Sequence, residues 1–429
     1  MTPMGRVQSI SFPQVPAPPL THIRQHLSEE HVADVRGSVR QKLIDSGLLD
    51  KIRNSDRIAV TAGSRGMGGF TELLGGIIDA IKQKGGDPFI MPAMGSHGGA
   101  VEAGQVEILH RLGVDETELG APIRATMQTH ALGEAKNGAI AHLDEIAAEA
   151  DGLIVLGRTK THPENREGIA SGLLKMVTVG LGKQAGAQEA HSHGLWDSVR
   201  EVPGVTMAKA KILCGVAVVE NAYRQPVEIE VVPPLYEAFK DSDERLLKVA
   251  QPHVADLPFK QLDLLIVDEI GKDISGTGMD LNVIGNWRMN GGLREPDFRR
   301  IVVLSLTHGS LGNGLGIGLA DFTTQRFVDE FDWGTTYVNL FTATEPGVMN
   351  SREGQLPLAL PADRTAIEAA LFSSLASAEH PRVCRIKNTA NLSEFWASQA
   401  LDNELDGNDK FSTDGAAEPL KYNDSGNLF

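Results

Sequence analysis

Cysteine is scarce. Cys214 and Cys384 are the only two among 429 residues, and they lie far apart. Two such thiols build neither a disulfide framework nor a zinc knuckle, and they fit a reducing compartment. A run of some 18 apolar residues, the length needed to span a bilayer, is also missing. The opening MTPMGRVQSISFPQVPAPPL has no apolar stretch behind an early basic region, so no signal peptide is expected and the cytoplasm is the expected location. Positive charge is in deficit, with 40 Lys and Arg against 56 Asp and Glu and a net charge of −16. That balance disfavours nucleic acid or an anionic membrane as a partner, and it means that a small anionic substrate needs a local basic pocket. No Gly-Lys-Ser/Thr phosphate loop and no G-x-G-x-x-G with a following acidic residue occurs, which argues against a nucleotide-triphosphatase or a nicotinamide dehydrogenase.

What is present is globular. The hydrophobic fraction is 41%, and the length suits two domains. Residues 1–20 read as extended and Pro-rich, and 20–55 as helix. From Arg57 a rhythm of short apolar strand, Gly-rich turn and amphipathic helix begins. Strands are expected at 57–61, 88–93 and 152–156, with helices at 70–84 and up to about 112. A second α/β rhythm follows Leu262, with strands at 263–268, 300–306 and 382–387 and helices at 319–331 and 362–376. The expected fold is α/β, with two domains of mainly parallel sheet and the active site in the cleft between them. The domains are placed at 1–255 and 256–404, and residues 405–429 form a polar tail expected to be loosely packed.

In a parallel sheet, ligands collect beyond the carboxyl ends of the strands. Three loops at such ends carry Arg65 (TAGSRGMGG), His97 (GSHGG) and His162 (RTKTHPENREG). Backbone at Gly66 and Gly68 could approach an anion, and Arg65 could pair with a carboxylate or phosphate. Two imidazoles at neighbouring strand ends suit a two-base mechanism, one for each face of a substrate. Lys175, inside SGLLKMVTVGLG, is the kind of lysine whose pKa falls on desolvation and which then forms covalent links. His191 and His193 form a His-x-His pair that could supply a metal ligand, with spacing alone leaving open which of the two does so. Lys272, three residues past Glu269, follows the strand DLLIVD and could hold a carboxylate. Each of these residues taken singly also fits a solvated loop charge or a surface lysine; the case rests on their combination.

Together these motifs resemble the lactate racemase family that uses a nickel-pincer nucleotide, over roughly residues 55–390. Arg65 matches the family's substrate and cofactor-phosphate arginine, and His97 and His162 match its two catalytic histidines. Lys175 matches the lysine that holds the cofactor covalently, and His191, sixteen residues later, matches the nickel ligand. Lys272 matches the lysine that anchors the substrate carboxylate. The resemblance implies a racemase or epimerase that inverts C2 of a 2-hydroxy acid by hydride transfer to and from the nickel-pincer nucleotide. It implies a small 2-hydroxy acid and the cofactor-assembly enzymes as partners. This chain departs from the family pattern in four places. Ala62 stands where the family usually has Asp, the first loop is richer in glycine, the loop between His162 and Lys175 is longer, and Glu269 replaces a neutral amide. An added carboxylate at 269 could hydrogen-bond extra hydroxyls, which points to a substrate larger or more polar than lactate. Two readings compete: a non-catalytic anion-binding or sensor protein on the same scaffold, and a zinc-dependent hydrolase or lyase.

Overall fold

The computed structural model describes residues 12–13, 15–160, 171–342, 351–374 and 380–428. The chain divides into two compact units, Glu29–Val254 with Phe341–Met349, and Met1–Ser28 with Ala255–Leu340 and Asn350–Phe429. The first strand, β1 (Leu20–Gln25), belongs to the second of these. Residues 20–25 are therefore strand where the charge pattern suggested helix, and the helix that follows is confined to Val35–Asp45. His22, Arg24 and their cross-strand acidic partners Glu394 and Asp414 explain the charged pattern.

The Glu29–Val254 unit holds β2 (Arg57–Ala62), β3 (Asp87–Pro92), the hairpin β4 (Thr129–Glu134) and β5 (Ile140–Asp144), β6 (Gly152–Arg158), β7 (Ile212–Glu220) and β8 (Pro226–Val232). Its five-stranded sheet runs β3-β2-β6-β7-β8, with only the β7–β8 pair antiparallel. The near-continuous burial of β2, β3 and β6 follows from helices covering both faces. On one side, Leu73, Leu74, Ile77, Ile78 and Ile81 of the Phe70–Gln83 helix pack with Val60, Ile90 and Ile154. On the other, Leu173, Val177 and Phe239 pack with Ala59, Met91 and Val155.

The second unit contains β9 (Gln261–Ile270), β10 (Asp297–Leu306), β11 (Phe322–Thr324), β12 (Leu358–Leu360), β13 (Val383–Asn388), β14 (Asn391–Ser398) and β15 (Phe411–Glu418). The order is β12-β11-β10-β9-β13-β14-β1-β15, parallel as far as β13 and antiparallel beyond. Residues 319–331, expected as one helix, divide into a 3-10 turn ending at Leu319, strand β11 and the helix Gln325–Glu330. Thr323 and Thr324 hydroxyls donate to the Val303 and Leu304 carbonyls (2.9 and 2.7 Å), which fixes that stretch against β10. The polar tail is not loose throughout, because Phe411–Glu418 pairs with β1. Both cysteines are buried, one in each unit, and burial pushes the Cys214 thiol up to about 12.

Ile23 pairs with Phe395 and Thr413 and is 1% exposed within the second unit's core. Ile23→Ala is expected to cost about 2–5 kcal/mol, read as a lower urea midpoint. An unmoved midpoint would show that residues 20–25 contribute nothing to that core.

Candidate functional site

Strand β2 pairs with β6 only at Ile58, Ala59 and Val60. Beyond that, the Thr61 hydroxyl takes over: it accepts from Leu156 N–H (2.9 Å) and reaches the Leu156 carbonyl at 3.4 Å. The chain runs from β2 outward to β3 on one side and from β6 to β7 on the other, so β2 and β6 flank the topological switch point. Doubly wound sheets bind ligands at such a point.

Arg65 sits half-buried in the first of these loops. Its loop is tied down from beneath. Glu220, at the end of β7, accepts from the Gly68 N–H and from Arg158 Nη1 (2.8 Å), and Arg224 donates to the Arg65 carbonyl at 3.2 Å. Burial alone would raise the Glu220 pKa; Arg158, the Gly68 amide and Arg224 outweigh it and hold the carboxyl below its usual range. Gly68 has a packing reason to be glycine, because a Cβ there would collide with the Arg224 carbonyl, and Gly66 has a φ of +56°.

His97 is half-buried in the loop after β3. Its carbonyl accepts from Gln105 Nε2 at 3.2 Å, and the same amide donates to Gly95 O at 2.9 Å. Lys160 and Ser171 pair to each other (3.2 and 2.9 Å), and a short helix, Leu173–Lys175, follows. It passes into a π-helical turn, Met176–Gly180, an irregularity often found at functional sites. Lys175 is thus not inside a long helix. Its ammonium lies 5.3 Å from the centre of the Trp196 ring. Asp243 caps this helix, its two carboxylate oxygens accepting from Leu173 N–H (2.9 Å) and Leu174 N–H (3.0 Å).

The loops converge on the segment that follows Lys175. A Cβ on Gly63 would stand 3.4 Å from the Met176 methyl, and one on Gly95 would stand 3.3 Å from Val179 and 3.6 Å from Ala187. The loops that carry Arg65 and His97 therefore each approach the segment that follows Lys175. His191 is half-buried, four residues beyond Ala187 on the Lys183–Ser192 helix, so it shares the face that meets the His97 loop. His193 is exposed, bonds back to the Glu189 carbonyl (3.0 Å) and packs by the Gly138 turn. His162 lies outside the described residues.

In the other unit, Lys272 and Glu269 stand at the end of β9, the strand between β10 and β13. Lys272 donates to the Gly276 carbonyl of its own loop, and Glu269 accepts from Asn388 Nδ2 at 2.8 Å. Asp273 accepts from the Thr307 hydroxyl at 2.5 Å, joining the loops after β9 and β10. Among the described residues, no three His, Cys, Asp or Glu side chains are grouped to hold a metal ion, and no helix is long and apolar enough to cross a membrane.

Sequence reasoning missed Gln105, Asp144, Arg158, Lys183, Glu220 and Asp243. Each is tied to a partner far away in the chain (Gln105 and Asp144 to Lys183, Lys183 to Pro92, Arg158 to Glu220, Glu220 to Gly68, Asp243 to Leu173 and Leu174), so no local motif marks them. The only signal was position: Lys183 is a charge set among Gly180, Gly182 and Gly186.

The arrangement is that of an α/β protein in two units with mainly parallel sheets and a topological switch point between β2 and β6. No family model and no curated protein matches the chain. Among solved structures, it is similar to the lactate racemase apoprotein from Thermoanaerobacterium thermosaccharolyticum, at 12% identity over 87% of this chain and 99% of that one, with a TM-score of 0.53. It also matches a protein from Thermotoga maritima at 12% identity, over 74% of this chain and 83% of that one, with a TM-score of 0.49. The first likeness establishes a lactate-racemase-like fold.

Burial pushes the Asp243 carboxyl up to about 7, against the pull of its two backbone donors. A folded-state pKa raised above the ordinary 3.8 means that this group's favourable contribution is full below pH 4 and is lost as pH rises to about 7. Asp243→Asn removes the titration. The unfolding free energy of the native protein should therefore drop relative to the variant by about 2 kcal/mol between pH 5 and 8. Parallel pH profiles from urea melts would refute this.

Proposed function

We propose that this protein is an isomerase that inverts C2 of a 2-hydroxy acid with the help of a nickel-pincer nucleotide. The observation that carries the reading is the approach of the loops bearing Arg65 and His97 to the segment that follows Lys175, in a lactate-racemase-like fold. The donor set fits such a group. Lys175 offers an amine against an aromatic face, on a helix fixed by a buried carboxylate. His191 offers a single imidazole on the adjoining helix face, as suits a metal that brings its other donors with it. An ordinary zinc site would need three protein ligands instead.

In this reading, Lys175 holds the cofactor covalently and His191 contributes the protein's ligand to nickel, His193 being turned toward Glu189. When bound, the group supplies the acceptor and donor of hydride that inversion at C2 requires. Arg65, with the amides around Gly66 and Gly68, holds anionic oxygens of substrate and cofactor. His97 removes the hydroxyl proton on one face and returns it on the other direction of turnover, with His162 assigned the opposite face. Proton and hydride leave the alcohol together to give a 2-oxo acid, and both return to give the inverted alcohol, so the reaction balances without an outside oxidant. Lys272 is assigned the substrate carboxylate, and Glu269, already accepting from Asn388, a further hydroxyl of a substrate more polar than lactate.

Nickel per chain decides the matter. Protein co-expressed with the pincer-assembly enzymes should carry near-stoichiometric nickel, lose it in Lys175→Ala, and racemise one or more 2-hydroxy acids. Absence of nickel in both proteins, under conditions that load a known lactate racemase, would favour an anion-binding role on the same scaffold.

A further inference from the structure

We infer that Lys183 and Gln105 are positioning residues that set His97 against the segment bearing Lys175 and His191, an inference that rests on the function proposed above. Lys183 lies eight residues from each of those two positions and is 0% exposed. Its ammonium donates to the Pro92 carbonyl (2.6 Å) and to Gln105 Oε1 (2.9 Å), and pairs with Asp144 Oδ2 at 3.2 Å. Pro92 is the last residue of β3, where the His97 loop begins. Gln105, also 0% exposed, has its carbonyl oxygen committed to Lys183, which turns its amide toward the loop. That amide spans the carbonyls of Gly95 and His97. A single buried cation therefore fixes both the root of the loop and, through Gln105, its tip.

Three further observations separate this from ordinary core packing. Lys183 has a φ of +53°, a left-handed conformation that glycine adopts freely and a lysine only at a cost. Glycines 182 and 186 stand beside it, yet the strained position carries the long cation. Burial lowers the Lys183 pKa and raises that of Asp144, so the pair is held at a desolvation cost that an apolar pair would not incur. Finally, the group is aimed at backbone next to His97 on one side and begins the His191 helix on the other. A misplacement of about 1 Å at a catalytic group can cost on the order of 100-fold in rate, so a loop of glycines carrying an acid/base needs such a brace.

The test uses Gln105→Glu, which keeps an acceptor for Lys183 but cannot donate to the loop, and Gln105→Met, which keeps the volume and loses both functions. The His97 side-chain NMR signal is recorded in cofactor-free protein with isotope-labelled histidine, assigned by its loss in His97→Gln. Both variants should shift or broaden that signal while their unfolding midpoints stay near wild type. In loaded protein they should lower kcat by about 10–100-fold with KM and nickel content nearly unchanged. An unchanged His97 signal overturns the inference, and so does a loss of fold in both variants, which would assign the network to stability alone. Because the NMR arm needs no cofactor, a wild type without nickel but with a disturbed His97 in the variants would sink the proposed function and leave the positioning role standing.

Discussion

The site depends on the early end of β2–β6 pairing. Past Val60, β2 and β6 no longer pair backbone to backbone. Instead, Thr61 substitutes its hydroxyl for a backbone partner on Leu156, satisfying groups that burial would otherwise leave unpaired. The strands then part without an unpaired amide at Leu156.

A crevice lined by glycine is a poor holder of chemistry unless something stiffens it, because glycine loses more freedom on ordering than any other residue. The stiffening here comes from buried charges beneath the loops. They do not all stand alike. Glu220 faces Arg158 and Arg224 and keeps its charge easily, while Asp243 has only two backbone amides and two nearby glutamates, and burial prevails. Both bind backbone N–H groups, one under the Arg65 loop and one under the Lys175 helix. The same device, anchoring main chain by a side chain from a distant element, thus appears with opposite electrostatic balance.

This explains which features were legible in the sequence. The strands at 57–62, 87–92 and 152–158 show as apolar runs ending in glycine because they are covered on both faces, and periodicity reports burial. The β4–β5 hairpin carried a readable sign, Asn137-Gly138 between alternating residues, that went unread. Strands β1 and β15 gave no such sign. Their pairing joins residues nearly 400 positions apart, and β15 is polar and mostly exposed, as an edge strand can be. For the candidate site, the loop positions of Arg65 and His97 followed from strand ends, whereas Lys175, expected inside an apolar helix, ends a three-residue helical turn. The braces did not, since Gln105 and Lys183 are 78 residues apart and meet only in the fold.

The charge distribution completes the picture. A net charge of −16 sets the whole molecule against polyanions, but the described residues at this end of the sheet reverse that sign locally. Arg65, Arg158, Lys160, Lys175 and Arg224 fall on loops and strand ends here, with Glu220 and Asp243 as acidic groups among them. Glu220 is satisfied by Arg158 and the Gly68 amide, so its charge is spent internally on holding the loop. A small carboxylate is short enough to feel this basic spot without meeting the acidic surface around it, whereas a nucleic acid or a lipid face would meet both.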